Sequence, residues 1–119
     1  MSEFIFVFGS NLAGRHGAGA AKWAKDHYGA VYGEGVGRTG NAYAIPTKDD
    51  RLKVLDLERI ELYIKSFLNY AVSRPDLKFL LTPIGTGLAG YSLKEIKSLF
   101  KNKHVPSNVY LSREWLKEE

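Results

Sequence analysis

Two glycine-rich loops contain the residues best suited to bind an anionic ligand. The first loop, residues 9–20, reads GSNLAGRHGAGA and holds Arg15 and His16 but no carboxylate. Backbone N–H groups in such a loop bind phosphates together with the N-terminus of a following helix. We therefore predict a phosphate-bearing ligand here. The candidate ligand-binding residues of this loop are Gly9, Ser10, Asn11, Gly14, Arg15, His16, Gly17, Ala18, Gly19 and Ala20.

The second loop, residues 83–91, reads PIGTGLAGY, also lacks a carboxylate and also precedes a predicted helix. Its glycines allow a ligand to approach the backbone closely. The hydroxyls of Thr86 and Tyr91 are suited to contact a diphosphate and a ribose. The candidate ligand-binding residues of this loop are Pro83, Gly85, Thr86, Gly87, Leu88, Ala89, Gly90 and Tyr91.

Two common phosphate motifs are present only as spacings. Residues 9–14 match the GxxxxG of a P-loop, but Arg15 and His16 follow where Lys and Ser or Thr are required. Residues 35–40 match GxGxxG, but they lead into a strand-like segment and not into a helix. The sequence thus argues against a P-loop ATPase or GTPase and against a dinucleotide fingerprint.

The apolar pattern predicts strands that alternate with helices. Trp23 and the tyrosines lie at helical or strand positions, and we expect them in the core. The predicted strands are residues 4–8, 41–47, 78–82 and 109–111, with a further short strand at 30–32. The predicted helices are residues 20–28, ending near Gly29; a helix between Asp56 and Pro75; a helix that starts in the capping box of Ser92 and Glu95; and a tail capped by Ser112.

This alternation indicates an α/β domain with a largely parallel sheet. In such sheets, ligands bind beyond the carboxyl ends of the strands. Both glycine-rich loops follow predicted strands, so we expect them to meet in one cleft.

The composition places limits on the class of protein. The 119 residues correspond to a single domain, and 45% hydrophobic residues suffice for a buried core. With no cysteine there is no disulfide, no zinc site built on thiolates and no cysteine nucleophile. The three histidines lack the spacing of a metal site, and we predict neither a metal nor a cofactor. No apolar run reaches the ~20 residues of a membrane helix, so we expect a cytoplasmic protein with no membrane partner.

The residues of the two loops resemble those of a known family. FIFVFGSNLAGRHGAGAA (residues 4–21) resembles the strand and ligand loop of macrodomains, which are ADP-ribose-binding α/β/α modules, and TPIGTGLAGY (residues 82–91) resembles their second loop. Residues 15–28 are most similar to the branch of terminal ADP-ribose protein glycohydrolase and the bacterial DNA-ADP-ribosyl glycohydrolases. The chain is also similar to small macro-like proteins of bacteria and phages.

The resemblance implies a three-layer α/β/α fold with a mixed, mostly parallel sheet. It also implies a fold truncated at the N-terminus, because the family's usual opening strand, with the Asp that holds the adenine amine, has no counterpart here. The ligand implied is ADP-ribose, or another nucleoside diphosphate if adenine is not recognised. ADP-ribosylated DNA or protein is the implied substrate.

The resemblance also implies the catalytic residues. Lys48 matches the nucleophile of the branch, and Asn11 matches the ribose-binding Asn and is the second catalytic candidate. A neutral lysine amine can attack the anomeric carbon of a ribosyl ester. Two alternatives stay open: Lys48 as a solvated lysine beside two aspartates, and Asn11 as a local turn residue. Ala89 stands where the protein-directed enzyme has an assisting acid.

Three functions follow from these observations. The first is binding of ADP-ribose or a related nucleoside diphosphate, and the second is removal of ADP-ribose from DNA or protein through Lys48. The third is a basic protein that binds nucleic acid or a host factor, because the formal net charge is +4. The sequence leaves the oligomeric state open.

Overall fold

A strand in the middle of one five-stranded sheet organises the fold. The computed structural model describes residues 4–117, and this strand is β1 (Phe4–Asn11). It pairs in parallel with β3 (Ala42–Lys48) on one side and with β4 (Lys78–Leu81) on the other. Strand β5 (Val109–Leu111) continues the parallel sheet beyond β4, and β2 (Gly37–Thr39) pairs antiparallel with the outer edge of β3. The order β2-β3-β1-β4-β5 confirms the predicted α/β class with a mostly parallel, mixed sheet.

Helices connect the parallel strands, and their ends agree with the capping residues in the sequence. Asp56 accepts a hydrogen bond from the N–H of Arg59, and Ser92 and Glu95 form the predicted reciprocal capping box. The helices are α1 (Gly19–Tyr28), α2 (Leu57–Ser73) and α3 (Leu93–Ser98), followed by a short 3-10 helix (Arg113–Leu116). Within residues 4–117, no helix combines the length and the apolar character needed to span a bilayer.

Two apolar clusters lie on opposite faces of the sheet. Alternate residues of β1 point to opposite sides, so Ile5 and Val7 join the larger cluster with α2 and α3. Phe6 and Phe8 join the smaller cluster, which contains α1. Each face of the central strand is therefore covered.

The direction of the chain changes between β1 and β4. From β1 the chain passes through α1 to β3, and from β4 it passes through α3 to β5 on the other side of the sheet. The loops after β1 and β4 therefore leave in opposite directions. In open α/β sheets such a switch point creates a crevice at the carboxyl ends of the strands.

Two local predictions are wrong. Residues 30–32 form a turn region, and the extra strand lies at Gly37–Thr39 instead. Trp23 is not in the core, because its side chain is 53% exposed. Helix α1 buries the small side chains of Ala21 and Ala24, and this close approach to the sheet leaves Trp23 at the side of the helix.

Candidate functional site

A cleft of about 950 Å³ lies at the carboxyl ends of β1, β3, β4 and β5. Both glycine-rich loops line it, so the structure brings together two segments that are some seventy residues apart in the sequence. Most of the predicted site residues line this cleft: Gly9, Ser10, Asn11, Arg15, Gly17, Ala18, Gly19, Ala20, Lys48, Pro83, Gly85, Thr86, Gly87, Leu88 and Ala89.

Two of the lining glycines are not required by the fold. Neither Gly17 nor Gly87 has a positive φ, and a Cβ added at either residue would meet no atom within 4 Å. Any residue could adopt these conformations, and nothing in the protein occupies the space. The open space belongs to the cleft, so glycine at both positions keeps the backbone accessible to a ligand.

Backbone donors in both loops are free. Within the described part of the chain, no acceptor receives the N–H groups of Gly17, Gly87, Leu88 or Ala89. Helix α1 also starts at the cleft, and its N-cap residue, Ala18, has no side chain able to cap the first turn. The first turn contains no acidic residue. These N–H groups and the helix dipole favour an anion between the two loops.

Gly9 and Gly85 are required by the fold. A Cβ on Gly9 would lie 3.2 Å from the backbone N of Gly85, so β1 and the second loop touch through their backbones. Gly85 has a φ of 83°, and a Cβ there would lie 2.9 Å from Cδ1 of Ile96. These two glycines hold the loops at a fixed separation.

Asn11 shapes the first loop from within. Its Oδ1 accepts a hydrogen bond from the N–H of Arg15 at 2.9 Å, and its Nδ2 donates to the carbonyl of Arg15 at 2.9 Å. The side chain also lines the cleft. An amide group has one further N–H and one further lone pair, so Asn11 can still contact a ligand while it holds the loop.

Lys48 ends β3 beside Asn11, its partner in the register of the sheet. Its half-buried side chain lines the cleft, and so does the exposed Arg15. The neighbouring carboxylate of Asp49 is held by other groups. It accepts hydrogen bonds from the N–H groups of Lys53 and Arg51, which lower the pKa of Asp49.

Four predicted residues do not line the cleft. Gly14 has a φ of 71° and packs against the backbone of Gly33, and Gly90 also has a positive φ. The Tyr91 hydroxyl donates to the carbonyl of Leu55 at 2.7 Å, which turns it away from the cleft. Their contacts give these three residues a role in loop conformation.

His16, the fourth, is completely buried. Its ring packs edge-on against Phe8, and its Nε2 lies 3.2 Å from the carbonyl of Glu34. A carbonyl only accepts, so Nε2 carries the proton. Its Nδ1 has no hydrogen-bond partner within residues 4–117. His16 therefore supports the loop from behind and does not face a ligand.

The sequence prediction missed several lining residues. Trp23 and Tyr32 are 53% and 58% exposed and stand at the cleft, which gives it aromatic side chains. A Trp at a helix position beside small buried alanines was the available signal. Ser112 and Glu114 reach the cleft from the segment after β5, and no local pattern connects them to the glycine-rich loops.

Glu114 brings a negative charge to the cleft. Among the described lining residues it is the single acid, beside the two bases Arg15 and Lys48. The nearby Ser112 hydroxyl and the backbone N–H of Glu114 lower the pKa of its carboxyl, with a smaller contribution from Lys117. Glu114 is therefore ionised at neutral pH.

Residues 4–117 contain no cluster of His, Cys, Asp or Glu side chains that could hold a metal ion. The chemistry available in the cleft is thus that of backbone donors, one lysine, one arginine, one glutamate and aromatic surfaces. The chain matches no family model, no curated protein and no solved structure.

Proposed function

We propose that this protein is a macrodomain-like module that binds ADP-ribose, or a related nucleoside diphosphate, in the cleft between its two glycine-rich loops. The observation that carries this proposal is the pair of glycines at 17 and 87. Both line the cleft from opposite loops, and neither is needed for backbone conformation or for packing within the protein.

The architecture supports the proposal at a coarser level. One apolar cluster on each face of the sheet fits a three-layer α/β/α arrangement. A cleft at the switch point between β1 and β4 is where such sheets bind nucleotides. A volume of about 950 Å³ is sufficient for a ligand of nucleotide size.

The chemistry of the cleft supports a pyrophosphate as its central group. Two loops with free N–H groups face each other, and each can donate to one phosphate. The N-terminus of α1 adds the positive end of its dipole, and Arg15 adds a charge. Asn11 and Lys48 lie together at the carboxyl ends of β1 and β3, where they can contact a ribose.

Calorimetric titration with ADP-ribose tests this proposal. We expect wild-type protein to bind ADP-ribose and to bind AMP, which lacks the pyrophosphate, more weakly. Gly17→Ala and Gly87→Ala each place a methyl group where the pyrophosphate approaches, so each should weaken ADP-ribose binding by about tenfold or more, or ~1.4 kcal/mol.

The melting temperature of the same variants is the control. Alanine fits the backbone at both positions, and it reduces the entropy of the unfolded chain, so neither variant should melt below the wild type. No heat and no thermal shift with ADP-ribose up to about 1 mM, a ligand concentration that detects binding of ~4 kcal/mol, would reject the proposal.

A second function is favoured by the position of Lys48. Its side chain lines the cleft beside Asn11, at the end where we place the distal ribose. From there Nζ can attack the anomeric carbon, while the bond from that carbon to the modified DNA or protein breaks and the leaving group takes up a proton. Water would then hydrolyse the covalent sugar intermediate. The protein would thus be an ADP-ribosyl glycohydrolase.

A further inference from the structure

One end of the cleft has the features of a site for a flat ring with a polar edge. Phe6, Leu80 and Trp23 line it with apolar surface on the face of the sheet that carries α1. Ser112 and Glu114 add a hydroxyl and a carboxylate from the segment after β5. Apolar faces combined with a few fixed polar groups are typical of nucleobase sites.

The carboxylate is held in position by buried neighbours. The indole N–H of Trp115 donates to the carbonyl of Leu81 at 2.7 Å, and the N–H of Ser112 donates to the same carbonyl at 3.0 Å. The Trp115 ring is buried and packs edge-on against Phe100. Glu114 lies between these two anchored residues, so its backbone cannot shift without breaking one of the hydrogen bonds.

Glu114 lies far from Lys48 in the cleft. β1 and β4 separate β3 from β5, so at ~4.8 Å per strand spacing the ends of these two strands are on the order of 14 Å apart. This distance excludes direct proton transfer between the two side chains. It also puts the negative charge away from the two bases that favour phosphate, at the end left for the nucleobase.

An ionised carboxylate only accepts hydrogen bonds. It therefore favours an amino group at the edge of a base and disfavours a carbonyl oxygen, which would face it with a second lone pair. The lowered pKa keeps Glu114 in this acceptor form at neutral pH. The Ser112 Oγ is buried and has no well-formed partner within residues 4–117, so its hydroxyl is available to a second atom of the same edge.

On the basis of the proposed function, we propose that Glu114 determines which nucleobase the cleft accepts, and that it selects bases with an exocyclic amino group, such as adenine, over bases with a carbonyl at that position, such as hypoxanthine. No residue of the glycine-rich loops supplies this selectivity, because those loops contain no carboxylate.

Paired titrations with ADP-ribose and inosine diphosphate ribose test the inference. The two ligands differ only at position 6 of the purine, where one has an amino group and the other an oxygen. Wild-type protein should bind ADP-ribose about tenfold more tightly, which is the size expected for one charge-assisted hydrogen bond. Glu114→Gln should bring the ratio of the two affinities close to one, because an amide can serve either ligand.

Glu58→Gln is the matched control. Glu58 is exposed in the first turn of α2, outside the cleft, and its substitution removes the same charge. This variant should keep the wild-type ratio. Equal affinities in the wild type, or an unchanged ratio in Glu114→Gln, would overturn the inference and leave the proposed function standing. Failure of both ligands to bind the wild type would overturn both.

Discussion

At the scale of single residues, the two candidate catalytic side chains have different surroundings. Asn11 is hydrogen-bonded twice to the backbone of Arg15, so it has a structural role whether or not a ligand binds. Lys48 has no such role in the loop, and its side chain lines the cleft. A lysine with no structural contact at this position is best tested by its removal.

Lys48→Ala should abolish release of ADP-ribose from modified DNA or protein while ADP-ribose itself still binds. The physical reason is that the substitution removes the amine but leaves both glycine-rich loops intact. The measurement is release of free ADP-ribose over time, with calorimetric binding as the companion. Lys53→Ala, an exposed lysine in the following turn, is the matched control and should behave as the wild type. Release that survives in Lys48→Ala, or is absent from the wild type, contradicts the enzymatic function.

Residue positions were the hardest part to predict from the sequence. The loops were recognisable by their glycines and missing acids, but His16 and Tyr91 fall behind the cleft and Trp23 falls beside it. The direction of each side chain depends on how tightly its segment packs on the sheet. Glu114 was beyond reach, because only the parallel pairing of β4 and β5 brings it to the loops.

At the scale of elements, predictions based on local chemistry agree with the structure. The caps at Asp56 and Ser92, and the left-handed Gly29 that ends α1, are decided by neighbours within a few residues. Strand β2 was missed because it depends on distant contacts. A Cβ on Gly35 would lie 2.0 Å from the carbonyl oxygen of Asn11, and Gly40 packs equally closely on Gly29. Long-range backbone packing, and not strand propensity, places this hairpin.

The cap of α2 gives a prediction about stability. Asp56→Ala removes the hydrogen bond from Asp56 Oδ1 to the N–H of Arg59, so it should cost about 1 kcal/mol and lower the melting temperature by roughly 4 °C. Thermal unfolding followed by circular dichroism measures this. Asp50→Ala changes an exposed aspartate in the preceding turn and should leave the melting temperature within about 1 °C. Equal effects of the two substitutions would show that the cap contributes little.

At the scale of the whole molecule, charge separates the proposed function from nucleic-acid binding. The formal net charge is +4, but only Arg15 and Lys48 bring positive charge to the cleft, and Glu114 offsets one of them. Most of the binding energy for a pyrophosphate would therefore come from backbone N–H groups. Such donors are less sensitive to salt than surface cations.

The affinity for ADP-ribose should consequently fall less than about tenfold between 50 and 200 mM salt, whereas a protein that makes six to ten phosphate contacts to DNA loses ~10³-fold or more over that range. Titrations at the two salt concentrations measure the first quantity, and gel retardation with a DNA duplex measures the second. Retention of DNA at the higher salt, together with loss of ADP-ribose binding, would favour the nucleic-acid function instead.

The open space beside Gly17 and Gly87 has a consequence for how this chain tolerates change. A mutational scan scored by cellular abundance should rate alanine at these two positions as harmless, because the folded protein does not contact the added methyl group. The same scan scored by ligand capture should rate them among the most damaging. Gly85, which touches Ile96, should be damaging in both scans. Positions where the two scores diverge would trace the outline of the ligand on the protein.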